Sequence, residues 1–159
     1  MTNDSPDNGE RMLDVAIRYT RLGWKVIPVP HRSKKPILDA WQELRLAEAD
    51  LPHHFNGKPQ NIGGLLGEPS DWRIDVDLDH LRAVALAPGL LPPTPAVFGR
   101  AGKPRSHWVY RVTGPIATRK FRSKSQGMIV EIRSTGAQTV LPPSTHFSGE
   151  AHRVGRRRS

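Results

Sequence analysis

The stretch WRIDVDLDH, residues 72 to 80, sets Asp75, Asp77 and Asp79 at every second position of an otherwise apolar run. A period of two is strand spacing. The three carboxylates therefore project from one face of a sheet, and Trp72, Ile74, Val76 and Leu78 from the other. Like charges on neighbouring same-face positions repel, and two readings account for their presence. One is an edge strand or strand end guarded by charge. The other is a site for one or two hard divalent cations, Mg²⁺ or Mn²⁺, which oxygen-only ligands select over zinc and which stand about 3.5–4 Å apart in two-metal centres. Three acids in register on one apolar strand favour the metal.

Two further stretches carry residues able to serve such a site. In MIVEIR (128–133), Met128, Val130 and Ile132 share one strand face, while Ile129, Glu131 and Arg133 share the other. A buried Glu131 needs a partner. Either Arg133 beside it forms a plain ion pair, or Glu131 joins the aspartates on a metal and Arg133 turns to a phosphate; spacing leaves both open. In SHWVYRV (106–112), His107 shares a face with Val109 and Arg111. A strand histidine is ordinarily a hydrogen-bonded core or surface residue. Here the preceding GRAGKPR adds Arg100, Lys103 and Arg105. With the Ser106 hydroxyl and the backbone N–H groups near Gly99 and Gly102, these offer donors to a triphosphate. The order G-x-x-x-x-G-K-[ST] is absent, which excludes a P-loop. LPPSTH (141–146), with Ser144 and His146, reads by itself as an ordinary strand exit.

Charge agrees with a phosphate-bearing partner. The 159-residue chain has a net charge of +9, and between Val97 and Arg133 nine Lys or Arg face a single acid, Glu131. Arg119, Lys120, Arg122 and Lys124 concentrate four of them in six positions, a spacing suited to tracking a nucleic-acid backbone through counterion release. Trp108 and Tyr110 belong on the core side of their strand, with base stacking as the alternative. There is no cysteine, hence no disulfide and no thiolate zinc site. No apolar run approaches the roughly 20 residues that span a bilayer, and the polar, acidic start MTNDSPDNGE is not a secretory signal, so a cytoplasmic protein is expected.

The elements that must position these residues can be read from periodicity and punctuation. Residues 1 to 10 read as a flexible leader. ERMLDVAIRYTRLG spaces Met12, Leu13, Ala16 and Ile17 as one helical face, stopped by Gly23. WKVIPVP is a short strand leading into the Lys-rich loop HRSKKPILDAW. AEADLPHHF suggests a short helix, and NIGGLLGEPS a glycine-punctuated strand and turn. The aspartate strand follows, then a helix from about Leu81 to Ala87 and the proline-broken PGLLPPTP. AVFGRAGKPRSHWVYRV gives two strands around a basic loop, and GMIVEIRSTGAQTVLPPSTH two more around Ser134 to Ala137. Strands outnumber helices and turns are short, so the expected class is α+β with a largely antiparallel or mixed sheet, over residues 11–150 as one domain. Residues 151–159, rich in arginine, read as a strand edge, a basic tail or the truncated edge of a longer protein.

Taken in order, YTRLGWKVIPVPHRSKKPILDAW, NIGGLLGEPS, DVDLD, SHWVY and EIRSTGAQTVLPPSTH resemble the primase-polymerase (prim-pol) domain of the archaeo-eukaryotic primase superfamily. The resemblance covers roughly residues 12 to 150. It implies an RRM-like catalytic sheet with flanking helices and a smaller N-terminal α/β unit. It also implies template-directed nucleotidyl transfer with two divalent ions, Mg²⁺ or Mn²⁺, in plasmid, phage or mobile-element replication. Single-stranded DNA template and primer, nucleoside triphosphates and a helicase domain or protein are the partners implied. The first acidic motif falls on two of Asp75, Asp77 and Asp79, with Asp77 and Asp79 preferred, and the third carboxylate on Glu131, where an aspartate is more usual. The serine-histidine motif falls on Ser106 and His107, and Ser144 and His146 join Arg133 and the loop cations as nucleotide-binding candidates. A metal-dependent nuclease and a non-catalytic single-strand-binding module remain the rival readings, since carboxylate clusters and basic surfaces serve them equally well.

Overall fold

The computed structural model describes residues 10–155. The expected leader therefore lies outside the described residues except for Glu10, as do the last four residues of the expected tail. Helix α1 (Met12–Arg21) buries Val15 and Ala16, carries Asp14 in its first turn and Arg18 and Arg21 in its last, and so matches its macrodipole at both ends. Gly23, at φ +100°, ends it as the spacing predicts. Strand β1 (Val26–Pro30) follows, then two single 3₁₀ turns and the short helix α2 (Leu51–His54). Next come β2 (Gln60–Leu65), β3 (Arg73–Leu78), α3 (Leu81–Leu90), β4 (Val97–Arg100) and β5 (Lys103–Arg111). The chain closes with β6 (Arg119–Ser123), β7 (Gly127–Arg133), β8 (Gln138–Val140) and β9 (Arg153–Val154).

Two antiparallel sheets result. The larger has the order β6-β7-β3-β5-β4-β9, and the smaller β1-β2-β8. The class is α+β, as the alternation indicates. The smaller unit is not purely N-terminal: β8, from near the end of the chain, pairs with β2 through Gly63↔Val140 and Leu65↔Gln138. Val76 and Leu78 of β3, Val97, Trp108 and Ala87 form one core cluster, so α3 covers one face of the large sheet. The other face looks toward β8. A second core cluster joins Val15 and Ala16 of α1, Val26, Leu51, Phe55 and Ile62 to Phe98 and Val109 of the large sheet, so the two sheets share one interior. Each fully buried aliphatic in it contributes about 1.5–3 kcal/mol.

Two elements differ from the sequence expectation. Helix α3 runs through Pro88 to Leu90 instead of stopping at Ala87. A proline in the last turn forfeits only one helical hydrogen bond, the one it would have donated to residue 84, and Leu91 N still bonds Ala87 O. Strand β6, made of RKFRS, is exposed at every position but Ser123 and shows no apolar alternation. Its backbone ladder to β7 alone defines it. Ala151 bridges Thr145 and β9 pairs with β4, so residues 151–154 are built into the sheet structure. No helix among the described residues is long and apolar enough to cross a membrane.

Gly67 delivers the chain into β3. It sits at φ +77°, its N–H donates to Arg73 O at 2.7 Å, and a Cβ there would run into Thr135 Oγ1 and backbone N. Gly67→Ala is expected to combine positive-φ strain with a backbone clash and to destabilise by about 3 kcal/mol. Thermal melting checks this: a loss of roughly 6–12 °C is expected for a chain of this size.

Candidate metal and nucleotide site

Register brings the predicted residues together. In the large sheet Asp77 of β3 lies directly opposite His107 of β5 on one side and Glu131 of β7 on the other. Period-two alternation sends Val76 and Leu78 into the core under α3 and leaves Asp77, Glu131 and Arg133 on the opposite face. Asp79, just past the end of β3, completes the set: one oxygen each from Asp77, Asp79 and Glu131 lies within 4.8 Å of the others. They line a cleft of about 320 Å³ together with Lys34, Lys35, Arg100, Lys103, Ser106, His107, Arg133, Gln138, Thr139, Val140, His146 and His152.

These three carboxylates fit a hard divalent cation. Among the described residues no group donates a hydrogen bond to any of them, and Asp77 Oδ1 is buried without a partner. The basic groups keep their distance: Lys103 Nζ is 3.8 Å from Asp79, Lys120 Nζ 3.9 Å from Glu131, and His107 Nδ1 and Arg133 Nη1 are 3.7 and 4.0 Å from Asp77. Burial first, then the negative charges of Asp75 and Asp79, raise the Asp77 carboxyl above its ordinary value, against the pull of His107 and Arg133. Mutual repulsion of acids gathered so closely is what a bound cation relieves.

Asp75 stands behind this group rather than in it. Its side chain is fully buried, and Oδ2 accepts from His107 Nδ1 at 2.9 Å and from Thr139 Oγ1 of β8 at 2.8 Å. Burial pushes its carboxyl up, but His107, Arg133 and the Thr139 hydrogen bond outweigh burial and hold it below the ordinary range. Conversely, burial lowers His107, and Asp75 with Asp77 more than reverses that, so the imidazole is raised. The His107 ring also stacks on Phe98 at 4.6 Å with planes 10° apart. With Nδ1 engaged, Nε2 is the nitrogen left for the cleft.

The remaining predicted residues divide. Arg100 and Lys103 reach the cleft, Arg100 with its guanidinium 2.5 Å from Glu150, which also accepts from Gly102 N. Arg105 does not: at φ +55°, where the β4–β5 register shifts, its guanidinium lies over the Trp108 ring, 5.1 Å from its centroid, on the α3 side of the sheet. Trp108 and, partly buried, Tyr110 pack in that same core and do not line the cleft. Ser144 is buried with its hydroxyl accepting from Ile62 N at 2.9 Å, so it braces β2 and stays out of the cleft. His146 does line it. Arg119, Lys120, Arg122 and Lys124 lie on or beside the exposed edge strand β6, with Lys120 across from Glu131.

Sequence reasoning missed Lys34, Lys35, Gln138, Thr139 and His152. The two lysines were visible as a basic loop, but nothing local says that Gln138 Nε2 bonds Lys34 O at 2.8 Å and draws that loop over the cleft. His152 had no signal at all. It lies 6.2 Å from both His107 and His146, centroid to centroid, and its N–H donates to Ser144 O. Burial first, then His107, His146 and Arg100, push its imidazole down to about 4.

A depressed histidine destabilises the fold in acid. Between its ordinary value of 6.5 and about 4, the unfolded chain binds a proton there that the folded chain refuses, so stability falls as pH falls through that window. His152→Gln removes this contribution. Melting temperature measured at pH 7.5 and pH 5 is expected to drop by a few degrees less in His152→Gln than in the parent protein.

No curated protein matches the chain significantly. The sequence pattern of the bifunctional DNA primase/polymerase N-terminal family (Prim-Pol) matches residues 16–158, which includes every cleft residue named above. With nearly the whole chain matched and the acidic strand, the histidine strand and β7 converging on one cleft, this protein belongs to the bifunctional DNA primase/polymerase N-terminal family.

Proposed function

We propose that this chain performs template-directed nucleotidyl transfer from nucleoside triphosphates onto a strand paired with single-stranded DNA. Family membership supports primase/polymerase-type activity in general, with DNA and nucleotides as substrates. The observation that carries the specific reading is the convergence of Asp77, Asp79 and Glu131, without hydrogen-bond donors of their own, beside a wall of cations and His107.

In this reading Asp77, Asp79 and Glu131 hold divalent cations, Mg²⁺ or Mn²⁺ and two in number. Such ions, when bound, activate an attacking hydroxyl and neutralise charge on a leaving pyrophosphate. The chain's own residues do the rest. Lys34, Lys35, Arg100, Lys103 and the His107 ring, all on the cleft wall, bind the triphosphate tail and orient it toward the carboxylates. Ser106, buried at the cleft floor, adds a hydroxyl, and Arg133, 4.0 Å from Asp77, sits where it can partner both an acid and a phosphate. Holding the α-phosphate in line with a primer hydroxyl lowers the barrier by positioning and by electrostatic stabilisation of the transferred group. The β6 cations extend from the Glu131 side of the cleft along an exposed edge and track the template backbone.

Incubation with Mn²⁺, labelled nucleotide and a primed single strand tests this directly. Extended product is expected from the parent protein, and Asp77→Asn with Asp79→Asn should reduce it by about two to three orders of magnitude while template binding persists. Shortened template instead would establish a nuclease, and undiminished extension by the double variant would remove the site assignment.

Salt dependence tests the β6 role separately. Neutralising four phosphates on a single strand gives a slope of log K against log[salt] of about −3, and Arg122→Ala with Lys124→Ala should make it shallower by about 1.4. A slope unchanged by the double substitution would place the template elsewhere.

A further inference from the structure

Asp75 poses a problem that the nucleotidyl-transfer reading leaves open. It is one of three acids in register, yet it is fully buried and lies outside the group whose oxygens can close on one cation. A carboxylate oxygen has two lone pairs, and Oδ2 spends both, one on His107 Nδ1 at 2.9 Å and one on Thr139 Oγ1 at 2.8 Å. Oδ1 is buried with no hydrogen-bond partner. A buried ion this confined is retained only where its partners hold it in place.

The geometry around the ring shows what the confinement does. Phe98, stacked at 4.6 Å, fixes the plane of the His107 imidazole, and stacking leaves rotation within that plane free. Asp75 removes it, because a carboxylate facing Nδ1 forces the N–H tautomer at that nitrogen. The alternative acceptor, Asp77 Oδ1, is 3.7 Å from Nδ1, beyond hydrogen-bond distance, so Asp77 remains available to a cation. Thr139 in turn ties Asp75 to the small sheet, so the orientation of the ring depends on how the two sheets sit against each other.

We infer that Asp75 is a positioning residue: anchored by Thr139, it orients His107 so that Nε2 faces the polyphosphate of the incoming nucleotide, and it does not ligate metal. The arrangement is the carboxylate–histidine pairing that orients ligating histidines elsewhere, applied here to a phosphate contact. The inference rests on the nucleotidyl-transfer reading only for the identity of the ligand.

Three measurements on the full chain test it, none requiring turnover. The first is proton NMR of the free protein, where an imidazole N–H held by a buried carboxylate gives a downfield, slowly exchanging resonance. It is expected in the parent protein and absent from Asp75→Asn and His107→Ala. The second is titration with Mn²⁺ alone: Asp75→Asn should keep its affinity within about twofold, whereas Asp77→Asn should lose about tenfold. The third is binding of a non-hydrolysable nucleoside triphosphate with Mn²⁺. Asp75→Asn should weaken it by about tenfold, and the same substitution in a His107→Ala background should add nothing. Thr139→Val should weaken it less, with Thr139→Ser restoring the parent value.

Loss of Mn²⁺ affinity in Asp75→Asn would make Asp75 a metal ligand and overturn the inference. An effect that adds to that of His107→Ala would make it merely structural, and unchanged triphosphate affinity would also overturn it. If Asp75→Asn does not fold, the parent resonance and the Thr139 pair decide the question. If all three readouts behave as expected and no strand is extended, the polymerase reading fails and the positioning role stands.

Discussion

Register in the middle of the large sheet governs everything at this site. Asp77 has His107 directly opposite on β5 and Glu131 directly opposite on β7, so one rung of an antiparallel ladder presents base, acid and acid in a row. Side chains alternate with a period of two, and a slip of one residue on β3 would turn Asp77 into the core beneath α3 and bring Val76 or Leu78 into the cleft. The apolar contacts of Val76 and Leu78 with Ala87, Val97 and Trp108 therefore hold the carboxylates in place as surely as any hydrogen bond does.

Within that frame the cleft divides its charges by depth. The deepest acid, Asp75, is held by the protein itself at Oδ2, through His107 and Thr139, and has no partner at Oδ1. The next, Asp77, is mostly buried and also unsatisfied at Oδ1, with Arg133 4.0 Å away, and the more exposed Asp79 and Glu131 have cations at 3.8 and 3.9 Å. At such separations near a protein surface, attraction amounts to a few kcal/mol at most before desolvation and screening. Cations therefore soften the repulsion among the acids without filling the space between them. Asp77, Asp79 and Glu131 have no hydrogen-bond donors of their own among the described residues, and lysines and arginines line the same cleft.

The sequence carried much of this and omitted a definable remainder. That the three aspartates share a face, and that Glu131 shares one with Arg133, was legible because strand alternation is local; the roles of Glu131 and His107 and the preference for Asp77 and Asp79 came from the order of motifs. The ends of α1, at Met12 and after Arg21, were legible because Gly23 is a local stop. What did not show were consequences of chain reversal and long-range pairing. Arg105 sits in a run of cleft cations, yet a positive φ at a β-irregularity turns it across the sheet. Ser144, a nucleotide-binding candidate only through the resemblance, instead completes the hydrogen bonding of Ile62, 82 positions away. His152 reaches the cleft only because the chain after β8 folds back through the Thr145↔Ala151 bridge, and no short window of sequence contains that information. The difference between Asp75 and Asp77 was equally invisible, since it depends on Thr139 arriving from the other sheet.

The Arg100–Glu150 pair has a consequence for how a polyanion enters. Arg100 already owns a counter-anion, and Glu150 is further engaged by Gly102 N and Ser148 Oγ. Lys34 and Lys35, which also line the cleft, have no ion pair with an acid among the described residues. A phosphate arriving at the lysines displaces only mobile salt ions, whereas one arriving at Arg100 must trade places with a carboxylate fixed to the same chain. The two sets of cations thus differ in kind: the lysines attract an anion by releasing ions to bulk solution, and Arg100 only by exchange with a carboxylate of its own chain.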